Sequence, residues 1–266
     1  MVLIFYLIVF ILGLAFGSFL NCLVHRLACR KTVLGRSFCP KCQKKIAWFD
    51  NFPLFSFVLL KGRCRECKEE ISYQYPLVEL IMGLLFVLPV WRFYLTTGNF
   101  LFFNDTSFYL LLVRDWIIFF TLVFTFVYDL KYLKIEDIVL FPAAVLVFIL
   151  NLFSQMNQSI LIVAGHMLLA ALIGIAFFGI QYLFTKGKGI GLGDLRIGLF
   201  MGVALENWIN ICLALVISYI IGALVSLFLI VSKKKGIKSQ IPLGPFLVVG
   251  TFIVLIFGQQ IINWYF

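Results

Sequence analysis

Two cysteine pairs and a small set of carboxylates supply the chemistry that this chain has available. Cys39-Pro-Lys-Cys42 and Cys64-Arg-Glu-Cys67 are Cys-x-x-Cys hooks separated by 21 residues. Two hooks that each offer two thiolates to one ion make a tetrahedral structural zinc site of the ribbon type. Such a closed site keeps no open coordination position, so its work is to fold the segment that carries it. A pair of disulfides is the alternative reading. Cys22, Cys29 and Cys212 read as plain apolar side chains. His25 reads as a solvated or capping residue at a helix end, and His166 as a residue hydrogen-bonded to a neighbouring helix. Among the acids, Asp194 stands out because it follows Gly187-Lys-Gly-Ile-Gly-Leu-Gly193. Four glycines at alternating positions leave the backbone bare and let another chain approach closely. The same run also fits a hinge or a phosphate-binding nest.

The elements that position these groups lie in a membrane. Of 266 residues, 63% are hydrophobic and 13% charged, against roughly a quarter charged in soluble domains. That excludes an ordinary soluble globule and a disordered chain. A span needs about 20 apolar residues, and Val2 to Leu23 is such a run without a charge. It lacks the basic n-region of a signal peptide and is expected to be retained. Further runs cover about 76–96, 109–128, 138–153, 160–184, 195–205, 208–232 and 242–264, the split at Glu206-Asn207 keeping each helix short enough for a bilayer. The loops at 24–75, 129–137, 185–194 and 233–241 carry Lys and Arg, whereas those at 97–108, 154–159 and 206–207 carry none. Basic loops stay on the cytoplasmic side, so eight helices give an unbroken alternation with both termini outside. The net charge of +10 thus reports orientation and does not imply nucleic acid. The expected architecture is all-α and polytopic: a first helix over 1–23, a cytoplasmic zinc-ribbon-like loop domain over 24–75, and seven helices over 76–266. The loop is reducing territory, which disfavours disulfides; its lysines and arginines are suited to anionic lipid headgroups.

This topology sorts the acids. Asp50, Glu66, Glu69 and Glu70 fall in the basic loop, and Asp105 and Glu206 in outer loops, where solvated charge is the plain reading. Asp115 follows Arg114 and reads as neutralised by it. Glu136 and Asp137 precede a helix and suit N-cap and dipole roles. Glu79 lies about one turn inside the second helix, where either a hydrogen bond to Tyr75 or Ser72 or a functional role would account for it. Asp129 ends the third helix and Asp194 begins the sixth, at the same cytoplasmic depth. Ionisable residues at membrane depth are functional candidates, and two carboxylates at one depth are the minimum for a pair sharing a proton.

Gly191-Leu-Gly-Asp194 resembles the Gly-x-Gly-Asp motif of intramembrane aspartic proteases, and other segments narrow the resemblance to type IV prepilin peptidases. Gly17-Ser-Phe-Leu-Asn21 with His25-Arg26-Leu27 is similar to their opening motif. So are the two cysteine pairs around Asn51-Phe-Pro-Leu-Phe-Ser56, Tyr75-Pro-Leu-Val-Glu79, Asp129 with Ile135-Glu-Asp137, and Pro242-Leu-Gly-Pro-Phe246. The matches span nearly the whole chain in order. One departure is Glu136, where the family usually has proline, which puts an extra acid beside the site.

The resemblance implies an aspartic endopeptidase of the bacterial cytoplasmic (inner) membrane with Asp129 and Asp194 as its catalytic pair. One carboxylate, ionised, takes a proton from water as it attacks the peptide carbonyl, and the other donates to the carbonyl oxygen. The implied substrates are prepilin or pseudopilin precursors, cut after a glycine behind a short basic leader at the cytoplasmic face. Many relatives also methylate the new N-terminus with S-adenosylmethionine. Glu79 is the candidate for that methyl-donor or substrate N-terminus site; no dinucleotide-type glycine pattern accompanies it. The competing readings are a transporter or assembly subunit with a zinc docking loop, which would want midplane acids, and a presenilin-type protease, whose Tyr-Asp motif Tyr128-Asp129 matches.

Overall fold

The computed structural model describes residues 2–33, 35–97, 106–155, 159–187, 189–232 and 241–265. Asp105, Lys188 and the basic segment 233–240 lie outside them, as do 98–105 and 156–158 of the expected outer loops. Among the described residues there are nine α-helices: α1 (Val2–Ala28), α2 (Phe55–Leu59), α3 (Gln74–Thr97), α4 (Thr106–Tyr132), α5 (Asp137–Ser154), α6 (Ile160–Thr185), α7 (Leu192–Leu205), α8 (Trp208–Val231) and α9 (Gly244–Tyr265). Seven are long and apolar enough to cross a membrane. The eighth expected span, α7, has 14 residues and is only about 21 Å long, short of a hydrocarbon layer of about 30 Å. The break after it falls where the charge pattern puts it. Glu206 takes φ +61° as the C-cap of α7, and the Asn207 side chain accepts the Ile209 N–H at 3.0 Å to cap α8.

The chain forms two compact units, Met1–Phe124 and Thr125–Phe266, which meet inside α4. In the first unit α1 packs on α3. A Cβ at Gly17 would come within 2.7 Å of the Glu79 Cα, so the two backbones approach as closely as small residues permit. The Trp116 indole of α4 donates to the Phe86 carbonyl at 2.9 Å and stacks on the Phe86 ring, with 4.8 Å between centroids.

Between α1 and α3 two knuckles repeat one local geometry. Cys39 N–H donates to Lys44 O and Gln43 N–H to Cys39 O; Cys64 N–H donates to Glu69 O and Lys68 N–H to Cys64 O. Gln43 and Lys68 both take φ +59°. Isolated antiparallel bridges, Phe38 to Lys45 and Arg63 to Glu70, close their stems. Buried Arg26, at the end of α1, donates to the carbonyls of Thr32, Val33, Gly35 and Arg36. Its planar fork of donors can satisfy several carbonyls at once, and it folds the chain leaving α1 back on itself.

In the second unit α7 lies inside, with Ile197, Gly198 and every residue from Phe200 to Leu205 buried. That is the environment a short apolar helix needs when no polar face is left to turn outward. A Cβ at Gly174 of α6 would run into the Gly198 carbonyl, and one at Gly202 into the Ala171 backbone. Fully buried Asn151 of α5 donates to the Val203 carbonyl at 3.2 Å.

Candidate active site

Asp129 sits in the last turn of α4 and is buried. Its Oδ2 accepts the backbone N–H of Gly244, the first residue of α9, at 3.0 Å. Asp194 is the third residue of α7, and its Oδ2 accepts the N–H of Gly191, the N-cap residue, at 3.0 Å. Each carboxylate is therefore gripped through one oxygen by a glycine N–H at a helix start, where the dipole favours negative charge. The bare glycine run also meets another segment: a Cβ at Gly193 would come within 2.7 Å of Ile135 Cδ1. The loop that follows Asp129 packs against the residue that precedes Asp194.

The nearby acids have other partners. Tyr128 Oη donates to Glu136 at 2.5 Å, and Arg196 Nη1 donates to Asp137 Oδ1 at 2.7 Å. Glu136 occupies the N-cap position of α5 without a side-chain cap bond, so the expected capping roles give way to an aromatic hydroxyl and an ion pair. Asp194 does cap its helix, through the Gly191 N–H. Arg196, Gly244 and Gly191 were not singled out from sequence as partners of these acids. For Gly244 the only signal was its place in Pro242-Leu-Gly-Pro-Phe246.

In the first unit the sulfur atoms of Cys39, Cys42, Cys64 and Cys67 lie within 4.8 Å of one another. Tetrahedral zinc with bonds of about 2.3 Å places its sulfurs about 3.8 Å apart, and Cys39 and Cys67 Sγ are 3.9 Å apart. That is far too long for a disulfide, and all four thiols are free. N–H groups of Cys67 and Glu66 point at the Cys64 thiol and hold it down to about 7. The Glu69 N–H likewise favours the Cys67 thiolate, yet burial and the neighbouring thiols push that group up to about 11. Four thiols this close cannot all ionise without a cation among them. The donor set fits one metal ion.

The acids read as solvated charge are exposed at Glu66, Glu69 and Glu70, and each also meets a cation. Lys44 with Glu66 and Lys41 with Glu69 strap one knuckle to the other, at 2.5 and 3.1 Å. Arg63 meets Glu70 at 3.8 Å. Arg65 grips Asp50 through two nitrogens, and its guanidinium holds the carboxyl below the usual carboxylate range. The Asp50 side chain is only 9% exposed. Glu206 accepts the Gln155 amide, and Arg114 neutralises Asp115 as expected, at 2.7 Å. His166 lies on the exposed face of α6 and not against a neighbouring helix. Cys22 is partly buried, while Cys29 and Cys212 are exposed. His25 stands 3.9 Å from the Cys29 sulfur.

Glu79 is buried in α3 and accepts the Leu54 N–H at 2.8 Å, with a further bond from Ser18. These two partners come from outside its own segment. Leu54 takes φ +59°, ψ −50°, and Phe55 N–H reaches back to Pro53 O at 2.6 Å. This is a γ-turn of the rare, strained kind, held in place by a buried carboxylate.

Comparison with known proteins gives the family. A family model described as Bacterial Peptidase A24 N-terminal domain matches residues 11–93, and one described as Type IV leader peptidase family matches residues 116–227. The chain is 30% identical to a prepilin leader peptidase/N-methyltransferase of Legionella pneumophila, across 98% of this chain and 94% of that one. It is 32% identical to the protein of the same description in Vibrio cholerae, across 96% and 98%. With that of Pseudomonas aeruginosa it shares 28%, across 98% and 93%. No solved structure matches the chain.

Proposed function

The chain belongs to the type IV leader peptidase family, and we propose that it processes prepilins, with Asp129 and Asp194 as the hydrolytic pair. The observation that carries this reading is the pair itself: two acids from distant helices, each steadied through one oxygen by a glycine N–H at a helix start. One proton serves both groups. The ionised carboxylate takes a proton from the attacking water, and the protonated one donates to the scissile carbonyl oxygen as that oxygen gains charge. The grip on one oxygen of each carboxylate fixes the orientation of the pair before substrate arrives.

The substrate is a prepilin or pseudopilin with a basic leader ahead of an apolar helix, cut at the cytoplasmic face of the inner membrane. The Lys and Arg of the loops next to Asp129 and Asp194 support that side. Segment 24–75 is a cap whose four cysteines hold one zinc ion; bound there, zinc supplies folding free energy and not reaction chemistry. Helices within 76–266 carry the peptidase pair. The relatives' description as N-methyltransferases supports a second step, transfer of a methyl group from S-adenosylmethionine to the new N-terminus, with Glu79 as its candidate residue. Incubating the purified protein with a prepilin tests the reading. A mass loss equal to the leader is expected; an intact precursor, with the protein folded, would reject it.

A further inference from the structure

Asp129 lies against Gly244 with no room to spare. The Gly244 N–H donates to Asp129 Oδ2 at 3.0 Å in a buried setting. A Cβ at residue 244 would stand 2.5 Å from that same oxygen, 3.1 Å from Cγ and 3.3 Å from Cβ of Asp129. All three of its nearest neighbours would be atoms of the aspartate. The Pro242-Leu-Gly-Pro-Phe246 segment, otherwise unexplained, starts α9 at this glycine. Pro245 costs the helix nothing in its first turn, where its missing N–H would have no intrahelical partner, and it leaves the Gly244 N–H pointing at the carboxylate.

We infer that Gly244 is a positioning residue for the peptidase reaction: its N–H orients the Asp129 carboxylate, and its missing Cβ is the space that carboxylate occupies. The inference rests on the proposed role of Asp129. Any side chain at 244 must displace the carboxylate or the start of α9, and a displacement of about 1 Å in a catalytic group can cost about 100-fold in rate. The pressure falls on a group that touches the reacting atoms and not on substrate contacts. The loss therefore belongs in kcat.

Gly250 provides the control. It lies on the same helix, and a Cβ there would collide with Ser218 Oγ and come within 2.7 Å of the Ala214 carbonyl, with no atom of Asp129 among its neighbours. The full-length detergent-solubilised protein is assayed for cleavage of a prepilin and for its melting midpoint. Gly244→Ala is expected to lower kcat about 100-fold with KM unchanged, and Gly250→Ala to lower the melting midpoint while its folded fraction keeps the wild-type kcat. The second measurement needs no activity. The melting loss caused by Gly244→Ala should vanish when Asp129→Ala removes the obstructing carboxylate, and that double variant should fold even if Gly244→Ala alone does not. Wild-type kcat in Gly244→Ala, or a melting loss that persists beside Asp129→Ala, overturns the inference. Failure of the wild-type protein to cleave prepilin strikes the proposed function instead, and the melting comparison still reports on the contact.

Discussion

Arg196 and Asp137 are joined side chain to side chain across 59 residues of sequence, Nη1 donating to Oδ1 at 2.7 Å. Arg196 follows Asp194 by two residues, so the pair ties the start of α5 to the helix that carries one of the two central carboxylates. Both side chains are well exposed, 37% and 44%, and an exposed pair is worth about 0–1 kcal/mol. Asp137→Asn is therefore expected to keep most of the prepilin cleavage and to shift the melting midpoint little. Loss of cleavage in folded Asp137→Asn would show that the first aspartate is Asp137.

Asp129→Asn and Asp194→Asn should each abolish cleavage while leaving the fold intact. Asparagine keeps an oxygen that can accept the Gly244 or Gly191 N–H, so the anchoring bonds survive and only ionisation is lost. Proton-transfer catalysis is worth roughly 10²–10⁴ in rate; because the pair also positions water, the loss belongs at the upper end or beyond. Glu136→Gln is the matched control, since an amide still accepts from Tyr128, and it should stay active. Mass spectrometry of the precursor with each purified variant reads the outcome, and strong cleavage by Asp129→Asn would remove that residue from the pair.

Metal analysis of protein purified without chelator is expected to find one zinc per chain. Cys39→Ser should lose it and open the segment between α1 and α3 to limited proteolysis, because four converging thiols hold two knuckles that are otherwise strapped only by exposed ion pairs. Full protease resistance in metal-free protein would mean that the straps and the Arg26 bonds suffice.

Glu79→Gln removes the ionisable carboxyl while retaining an acceptor for the Leu54 N–H. The strained turn should persist, and the expected effect is chemical: processed but unmethylated product accumulates on a prepilin substrate. Glu79→Ala should in addition free the turn, at a cost of about 1.5–3 kcal/mol for a hydrogen bond to a charged group, seen as proteolysis near Leu54. Full cleavage and full methyl transfer by Glu79→Gln would leave Glu79 a purely structural clamp.

What could be read from the sequence was whatever is local or periodic. The two cysteine hooks need only their own spacing, and the break between α7 and α8 is announced by Glu206-Asn207 within an apolar stretch too long for one span. Asp194 was recognisable because its glycines precede it directly. Contacts made by backbone atoms leave no such trace. Nothing in the spelling of Gly244 says that its N–H meets Asp129, 115 residues away, or that Leu54 is what Glu79 holds. Among the loop acids only Asp50 is covered, and Arg65, which covers it, becomes its neighbour only once the loop has folded. The expected bond of His166 to a neighbouring helix fails because α6 has no polar face, which leaves no phase from which to tell inside from outside.

The contact of α6 with α7 bears on how α7 can move. Gly174 faces the Gly198 carbonyl and Gly202 faces the Ala171 backbone with no side chain between them. Sliding α7 by one residue, about 1.5 Å, would bring Cα atoms into carbonyls, and turning it would drive side chains into the partner backbone. The helix bearing Asp194 thus has one register. Rocking or sliding of that helix on α6 would therefore have to break these backbone contacts first.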